Sequence, residues 1–149
     1  MLVVLGAGAD RLRDELAGLN VVPVDNPDWS KGMGTSIRRG VETLATLAPT
    51  ADGALLMLCD QPLIRPEMLG SLVRAFQQGQ PSCKAVAAVY AGTRGVPAVF
   101  GRELLADLAS LPGEAGAKSL LRRPGAEIIE IPLPEAATDI DTRADYEKL

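Results

Sequence analysis

Two acidic clusters carry the sharpest chemical signals in this sequence. Asp60-Gln61-Pro62 follows directly on the apolar run 53 to 59, GALLMLC. A carboxylate at the carboxyl end of a central buried strand stands where open α/β sheets place ligands, and it is costly there unless a cation or hydrogen bonds satisfy it. The structural alternative is a turn aspartate ahead of Pro62. Asp139-Ile140-Asp141-Thr142 is the second cluster. If the segment is extended, alternation puts Asp139 and Asp141 on one side while Thr142 caps the next helix; solvated turn acids are the plainer reading. Two same-side carboxylates repel unless positive charge lies nearby. A hard cation such as Mg²⁺, shared with Asp60, removes that penalty, because it takes few carboxylates together with substrate phosphate oxygens. Asp60, Asp139 and Asp141 are therefore the candidate metal ligands, with Asp60 foremost.

Three further segments set glycines beside polar groups. The stretch 26 to 36, NPDWSKGMGTS, contains the single tryptophan, Trp29, and runs straight into a helix holding Arg38 and Gly40. Backbone N–H groups at a helix N-terminus, with Gly32 and Gly34 permitting close approach, suit an anion or the edge of a nucleobase. A helix capped by Thr35 or Ser36 is the structural alternative, but the loop is longer than capping requires. Arg94-Gly95-Val96-Pro97, and the segment 113 to 121 with Gly113, Gly116 and Lys118, each put glycine and a cation at an element end where phosphate or a polar ring could dock. Either alone is equally turn chemistry. Gly6-Ala7-Gly8 suggests a dinucleotide fingerprint, but Arg11 occupies its third glycine position, so a tight strand-to-helix turn is favoured.

Composition narrows what these groups can do. The 149 residues include no histidine, which excludes Ser-His-Asp and Cys-His catalysis and histidine zinc sites. The net charge of −4 argues against a nucleic-acid-binding face. Cys59 and Cys83 are unpatterned and read as small buried thiols. The opening apolar run ends at Gly6, too short for a signal peptide core or a membrane span, so the expectation is a cytoplasmic protein without membrane contact.

Positioning these residues requires an alternating α/β framework. Residues 1–6, 20–25, 53–59, 84–90, 96–100 and 126–131 read as strands, several nearly continuous in apolar character as strands covered on both faces are. Between them lie helices over 10–19, with Leu12, Leu16 and Leu19 on one face, 35–48, 66–78, 101–110 and 115–122, and a terminal helix opened by Thr142 with Asp145 in a capping box. The rhythm predicts one Rossmann-like, three-layer α/β/α domain over 1–149, with a mostly parallel sheet and a mixed edge from the hairpin at 90–100.

Taken in order, these segments resemble the MobA-like molybdenum cofactor nucleotidyltransferases, most closely the cytidylyltransferase branch. The matching residues are Val4-Leu5-Gly6-Ala7; Asn26-Pro27, Trp29, Gly32-Met33, Ser36-Ile37 and Gly40; Asp60-Gln61-Pro62; Arg94-Gly95 and Pro97; Gly113, Gly116-Ala117-Lys118 and Leu120-Leu121; and Asp139 to Thr142. The resemblance implies transfer of a cytidylyl group from CTP, or from another NTP, to a molybdopterin-type phosphate with release of pyrophosphate and a requirement for Mg²⁺. It implies that Asp60 and Asp141 are catalytic and that Asp60, Asp139 and Asp141 hold the metal. Gly32, Met33, Gly34 and Ser36 would contact the nucleotide, and Arg94, Gly95, Pro97, Gly116, Ala117 and Lys118 the acceptor. In-line phosphoryl chemistry needs positioning and charge neutralisation, so the absence of histidine is compatible with it.

Two departures from the family pattern bear on these expectations. Val96 stands where the family usually has histidine, which touches the acceptor's identity. The family's glycine-rich signature, Leu-Ala-x-Gly-x-Ser-x-Arg-Met-Gly followed by lysine, is absent, so the first βα unit is expected to be missing. Its absence would leave unpaired sheet edges that a partner protein or second chain could cover. A non-catalytic ligand-binding or accessory module of the same fold is the alternative expectation, and a small oxidoreductase using Gly6 and Gly8 ranks after it.

Overall fold

The computed structural model describes residues 1–123 and 127–147. Its elements run β1 (Leu2–Leu5), α1 (Ala9–Glu15), β2 (Val22–Asp25), α2 (Met33–Leu47), β3 (Gly53–Leu56), α3 (Pro66–Gly79), β4 (Ala85–Tyr90), β5 (Thr93–Gly101), α4 (Leu105–Ala109), α5 (Lys118–Leu121), β6 (Ile128–Pro132) and α6 (Arg143–Tyr146), with short 3-10 turns at Trp29–Lys31, Arg102–Leu104 and Pro134–Ala137. Each expected strand and helix has a counterpart. The first residue of the strand expected over 126–131, Ala126, lies outside the described residues.

The strands form two sheets. β1 and β2 pair in parallel, while β3-β5-β4-β6 make a four-stranded sheet in that order. Within it β4 and β6 are parallel and β5 is antiparallel to both β3 and β4. The fold is thus the expected α/β arrangement with a mixed sheet, but its antiparallel strand is interior. Two features account for that position. The turn at Ala91 and Gly92 is tight, with both residues at positive φ, so β5 starts at Thr93 and doubles back on β4. β5 then runs nine residues, long enough to pair with β3 on its other side as well.

Side-chain alternation along β4 explains why the four-stranded sheet sits at the centre. Ala85 and Ala87 face one core with Val41 of α2, Ala98, Phe100, Leu108 and Leu121. Val86 and Ala88 face the other, with Leu72 and Phe76 of α3, Val99 and Leu133. Helices therefore cover both faces. α2 also packs on β1 and β2, joining the two sheets from one side.

Coverage thins away from that centre. α1 stops at Glu15 and buries no residue; Leu12 and Leu19, expected on its buried face, are exposed. A two-stranded sheet is too narrow to give a packed helix a full apolar floor, so the sequence pattern has nothing to close on. β3, expected to be central, is an edge strand with all four residues half-buried. Among the described residues β1 and β3 are not paired with each other, so each keeps one free edge.

Candidate functional site

The chain leaves β3 at Leu56 and turns at Asp60. Here the segment 138–141 crosses it, and the Ile140 N–H donates to the Asp60 carbonyl oxygen at 2.9 Å. A cavity of about 170 Å³ opens beside this crossing, lined by Leu58, Asp60, Gln61, Tyr90, Ala91, Ala136, Ala137 and Asp139. Two segments far apart in sequence thus meet, with Asp60 and Asp139 lining one cavity.

Asp60 Oδ1 is buried and has no hydrogen-bond partner. An acceptor in that state is a desolvated negative atom awaiting a cation or a donor. Gln61 beside it is buried, and its Nε2 donates to the carbonyl oxygens of Val96 at 3.1 Å and Ala136 at 2.8 Å. Both partners can only accept, so the amide orientation is fixed and Oε1 faces away, also buried and unpartnered. Tyr90 completes the wall, its hydroxyl donating to the Val96 carbonyl at 3.0 Å. Burial pushes the Tyr90 phenol above its ordinary range; a hydrogen bond from Gln61 opposes this, and the charges of Asp139 and Asp60 add to the rise. Gly95 makes room for that ring, since a Cβ there would strike the phenol oxygen. The cavity therefore concentrates acceptor oxygens and negative charge, which fits a small hard cation.

Asp141 does not join it. Residues 138–141 form no strand, so no sheet enforces the alternation that would bring both carboxylates to one side, and Asp141 is exposed outside the cavity. Among the described residues no group of three or more His, Cys, Asp or Glu side chains is placed to hold a metal ion, so the structure does not bring Asp60, Asp139 and Asp141 together. The capping box after it is present, with Thr142 and Asp145 exchanging hydrogen bonds at the start of α6.

The glycine loop is built tightly. Asn26 Nδ2 donates to Thr35 Oγ1 and Ser36 Oγ, both at 2.9 Å, tying the end of β2 to the first turn of α2. The helix cap falls on Gly32 at φ 108°, and not on Thr35 or Ser36. The Gly34 N–H donates to the Gly113 carbonyl at 2.8 Å, and a Cβ on Gly34 would collide with the Pro112 carbonyl oxygen. Two segments expected to bind different parts of a ligand, 32–36 and 113–118, are thus packed together, with Met33 exposed and its sulfur near Gly116. Arg38 reaches the same junction, its Nη2 donating to the Leu111 carbonyl at 3.1 Å while its Nε is a buried donor without a partner. Ala117 is part of the core, whereas Lys118 is half-buried.

Arg94 sits elsewhere. It pairs with Glu130 at 2.6 Å and donates to the Leu121 carbonyl at 3.0 Å, clasping β5 to β6 and to α5. It lines a second cavity of about 290 Å³ with Arg122, Glu130 and Thr93 among others. Pro97 is wholly buried. The Gly6-Ala7-Gly8 turn is occupied by packing, for a Cβ on Gly6 would strike the Trp29 side chain and Gly8 takes the left-handed conformation that starts α1. Sequence reasoning gives Gln61 and Tyr90 no role. The one readable signal is that Gln61 directly follows the foremost acid, ahead of a proline; Tyr90 is placed only by the hairpin's register.

Residues 1–128 match the model of the MobA-like NTP transferase domain. The chain belongs to this family. As a member it is a nucleotidyltransferase. A curated relative, nicotine blue oxidoreductase of Paenarthrobacter nicotinovorans, is 31% identical over 151 aligned positions, covering 95% of this chain and 71% of that protein. Among solved structures, a homologue of Rv0371c from Mycobacterium sp. strain JC1 superposes with a TM-score of 0.74 at 32% identity, covering 99% of this chain and 71% of that one. Rv0371c of Mycobacterium tuberculosis H37Rv, in complex with manganese, gives 0.71 at 30% identity, covering 99% and 75%.

Proposed function

We propose that this nucleotidyltransferase moves a cytidylyl group from CTP to the phosphate of a molybdopterin-type acceptor, with Mg²⁺ held by Asp60 and Asp139. A phosphate oxygen of the acceptor forms the new bond to the α-phosphorus of CTP. The bond from that phosphorus to the bridging oxygen breaks, and pyrophosphate leaves. The single observation that carries the metal assignment is that Asp60, whose Oδ1 is buried without a partner, lines one cavity with Asp139. A bound divalent ion would supply neutralisation of phosphate charge there.

The remaining roles belong to side chains and backbone of the chain itself. The turn formed by Gly32, Met33, Gly34 and Ser36, with the free Arg38 Nε beside it, is assigned to the nucleotide, because an unpaired buried donor suits an anionic or carbonyl oxygen. Lys118, with Gly116 and Ala117 before it, is assigned to the acceptor. Gly95 acts through the Tyr90 ring it admits, and Arg94 and Pro97 hold β5 in place. A manganese complex is known for the mycobacterial relative, which is consistent with a divalent ion in this family. We also infer that the free edges of β1 and β3 take a covering strand from a partner polypeptide, and that the protein works in the cytoplasm; no helix among the described residues is long and apolar enough to cross a membrane.

Pyrophosphate release from CTP and GTP, each with a molybdopterin acceptor, tests the reading. CTP is expected to be preferred, and Asp60→Asn to lower turnover by at least about 100-fold, the scale on which metal-site losses act. Unchanged turnover in that variant would remove Asp60 from the chemistry. Calorimetric binding of the acceptor but not of CTP with Mg²⁺ would instead favour the accessory module.

A further inference from the structure

The two hydroxyls in the first turn of α2 are neighbours in sequence but differ in where their hydrogens go. Asn26 is only 4% exposed, and its amide orientation is fixed, because Oδ1 accepts from the Asp28 N–H at 3.1 Å. Its Nδ2 therefore donates, to Thr35 Oγ1 and to Ser36 Oγ, both at 2.9 Å. Each hydroxyl oxygen thus receives a hydrogen from Asn26 and keeps its own to give. Thr35 is buried and gives its hydrogen to main chain, with the Gly32 carbonyl oxygen at 2.8 Å and the Asp28 carbonyl oxygen at 3.0 Å. Ser36 is half-buried, and its hydroxyl meets no acceptor among the described residues. A hydroxyl that accepts from a locked amide turns its remaining hydrogen away from that amide.

We propose that Asn26 is a positioning residue: by donating to Ser36 Oγ it makes that hydroxyl a hydrogen-bond donor to an acceptor oxygen of the nucleotide. This role rests on the reading that the turn 32–36 takes the nucleotide, and it adds the direction of one hydrogen bond and the buried amide that sets it. The group recognised is an oxygen with lone pairs and no hydrogen, as on a phosphate or a base carbonyl. The first turn of a 15-residue helix favours the same kind of oxygen, because its backbone dipole is positive there. Thr35, whose hydrogen is engaged by carbonyls, serves the loop and not the ligand. Ser36 is therefore oriented before the nucleotide arrives, with little left to order on binding.

Calorimetric affinity of the whole chain for CTP with Mg²⁺ tests this without turnover. Ser36→Ala should weaken binding about 10-fold, the scale of one hydrogen bond to a charged acceptor. Asn26→Asp and Asn26→Ala then separate direction from support. The aspartate keeps an acceptor for the Asp28 N–H, but both hydroxyls must turn and donate to it, so Ser36 has no hydrogen left for the ligand. The alanine unties the loop altogether and leaves Ser36 free to rotate. Asn26→Ala should therefore melt at the lower temperature by circular dichroism, yet Asn26→Asp should bind CTP more weakly. That excess loss should vanish when Ser36→Ala is added to both variants. Its persistence would mean that charge repulsion causes it, and would overturn the proposal, as would binding losses that simply follow melting temperature. Undiminished CTP binding in a folded Ser36→Ala chain would overturn it while leaving the nucleotide reading intact. No CTP binding by the unsubstituted chain would overturn the nucleotide reading itself and this role with it. Repeating Ser36→Ala with cytidine and with pyrophosphate assigns the oxygen: a loss with cytidine places it on the base or ribose, a loss with pyrophosphate on the phosphate chain.

Discussion

The four-stranded sheet and the two-stranded sheet are built from similar apolar strands, yet they are covered to very different extents. Ala85 to Ala88 of β4 are wholly buried, with α2, α4 and α5 on one face and α3 on the other. In the two-stranded sheet only Leu5 and Val24 are buried, and α1, which ought to shield it, buries nothing. Apolar content does not produce the difference; width does. A strand becomes central when it has neighbours on both sides and helices above and below, and the pair β1 and β2 has one such helix, α2. The functional groups divide along the same line. The Asp60 cavity is walled by residues from β4 and the segments following β3 and β6, while the glycine loop hangs between the end of β2 and the loop 112–116.

The largest expected contrast is in stability. Phe100 is wholly buried in β5, paired with Ala54 on one side and Ala85 on the other. Phe100→Ala should cost about 3–5 kcal/mol by leaving a cavity in the centre of the core. Leu19→Ala, after the end of α1, should change stability by no more than about 0.5 kcal/mol, because Leu19 is exposed. Denaturant unfolding of both variants checks the pair. Native-state hydrogen exchange sharpens it: amides of β4 and β5 should exchange only through global unfolding, and those of β1 and β2 through smaller openings. Equal protection in both sheets would mean that β1 and β2 are covered by something besides α1 and α2.

Much of this was legible in the sequence, for identifiable physical reasons. Short, nearly continuous apolar runs and capped amphipathic stretches located the strands and helices, since those signals are local; the Thr142 and Asp145 capping box is an instance. Asp60 was singled out because a carboxylate after a buried apolar strand is costly without a partner, and its Oδ1 is buried without one; Asp139 was singled out only as one of a pair with Asp141, and it lines the same cavity as Asp60. What stayed hidden depends on which strands become neighbours. β3 reads as central from its apolar run but lies at an edge, Leu12 reads as buried but has no floor, and Cys59 reads as buried but is exposed. Asp141 failed for a related reason, since alternation binds side chains to one face only where a sheet holds the backbone extended. The burial of Gln61 was only hinted at by its place after Asp60, because the two carbonyls that take its amide hydrogen bonds lie 35 and 75 residues away.

A substitution at the seam between the two regions should have an intermediate effect. Gly34 lies at the start of α2, where its backbone touches Pro112, Gly113 and Ala115 of the opposing loop. Gly34→Ala forces main chain away from main chain, which neither side can relieve by turning a side chain. A loss of about 1–3 kcal/mol is expected, with separation of the two loops and weaker nucleotide binding. Gly70 in α3 is the control. A methyl group there meets only the flexible end of Arg74, so Gly70→Ala should stabilise by up to about 1 kcal/mol through helix propensity. If both alanines behave alike, the contact between 32–34 and 112–116 is not holding the halves together.

The two cysteines give the smallest and most local form of the contrast. Cys59 is exposed beside the Asp60 turn, whereas Cys83 is buried at the entry to β4, its thiol donating to the Ala85 carbonyl at 3.1 Å. Burial pushes the Cys83 thiol up, and main-chain hydrogen bonds at Ile129 and Ala85 oppose this only in part. A thiol reagent at neutral pH should therefore label Cys59 quickly and Cys83 only when the core opens. The shift also fixes the sign of a pH effect. Above about pH 9 the unfolded chain ionises this thiol while the folded protein keeps it protonated, so the unfolded state binds fewer protons and stability falls as pH rises toward the folded pKa. Tyr90 is shifted in the same direction and adds to the fall at higher pH. Cys83→Ala should make the decline in melting temperature above about pH 9 shallower, with the Tyr90 part remaining, while Cys59→Ala should leave the profile unchanged. Equal labelling of both thiols at neutral pH would show that the four-stranded core opens as readily as its surface, and the distinction between the two sheets would lose its basis.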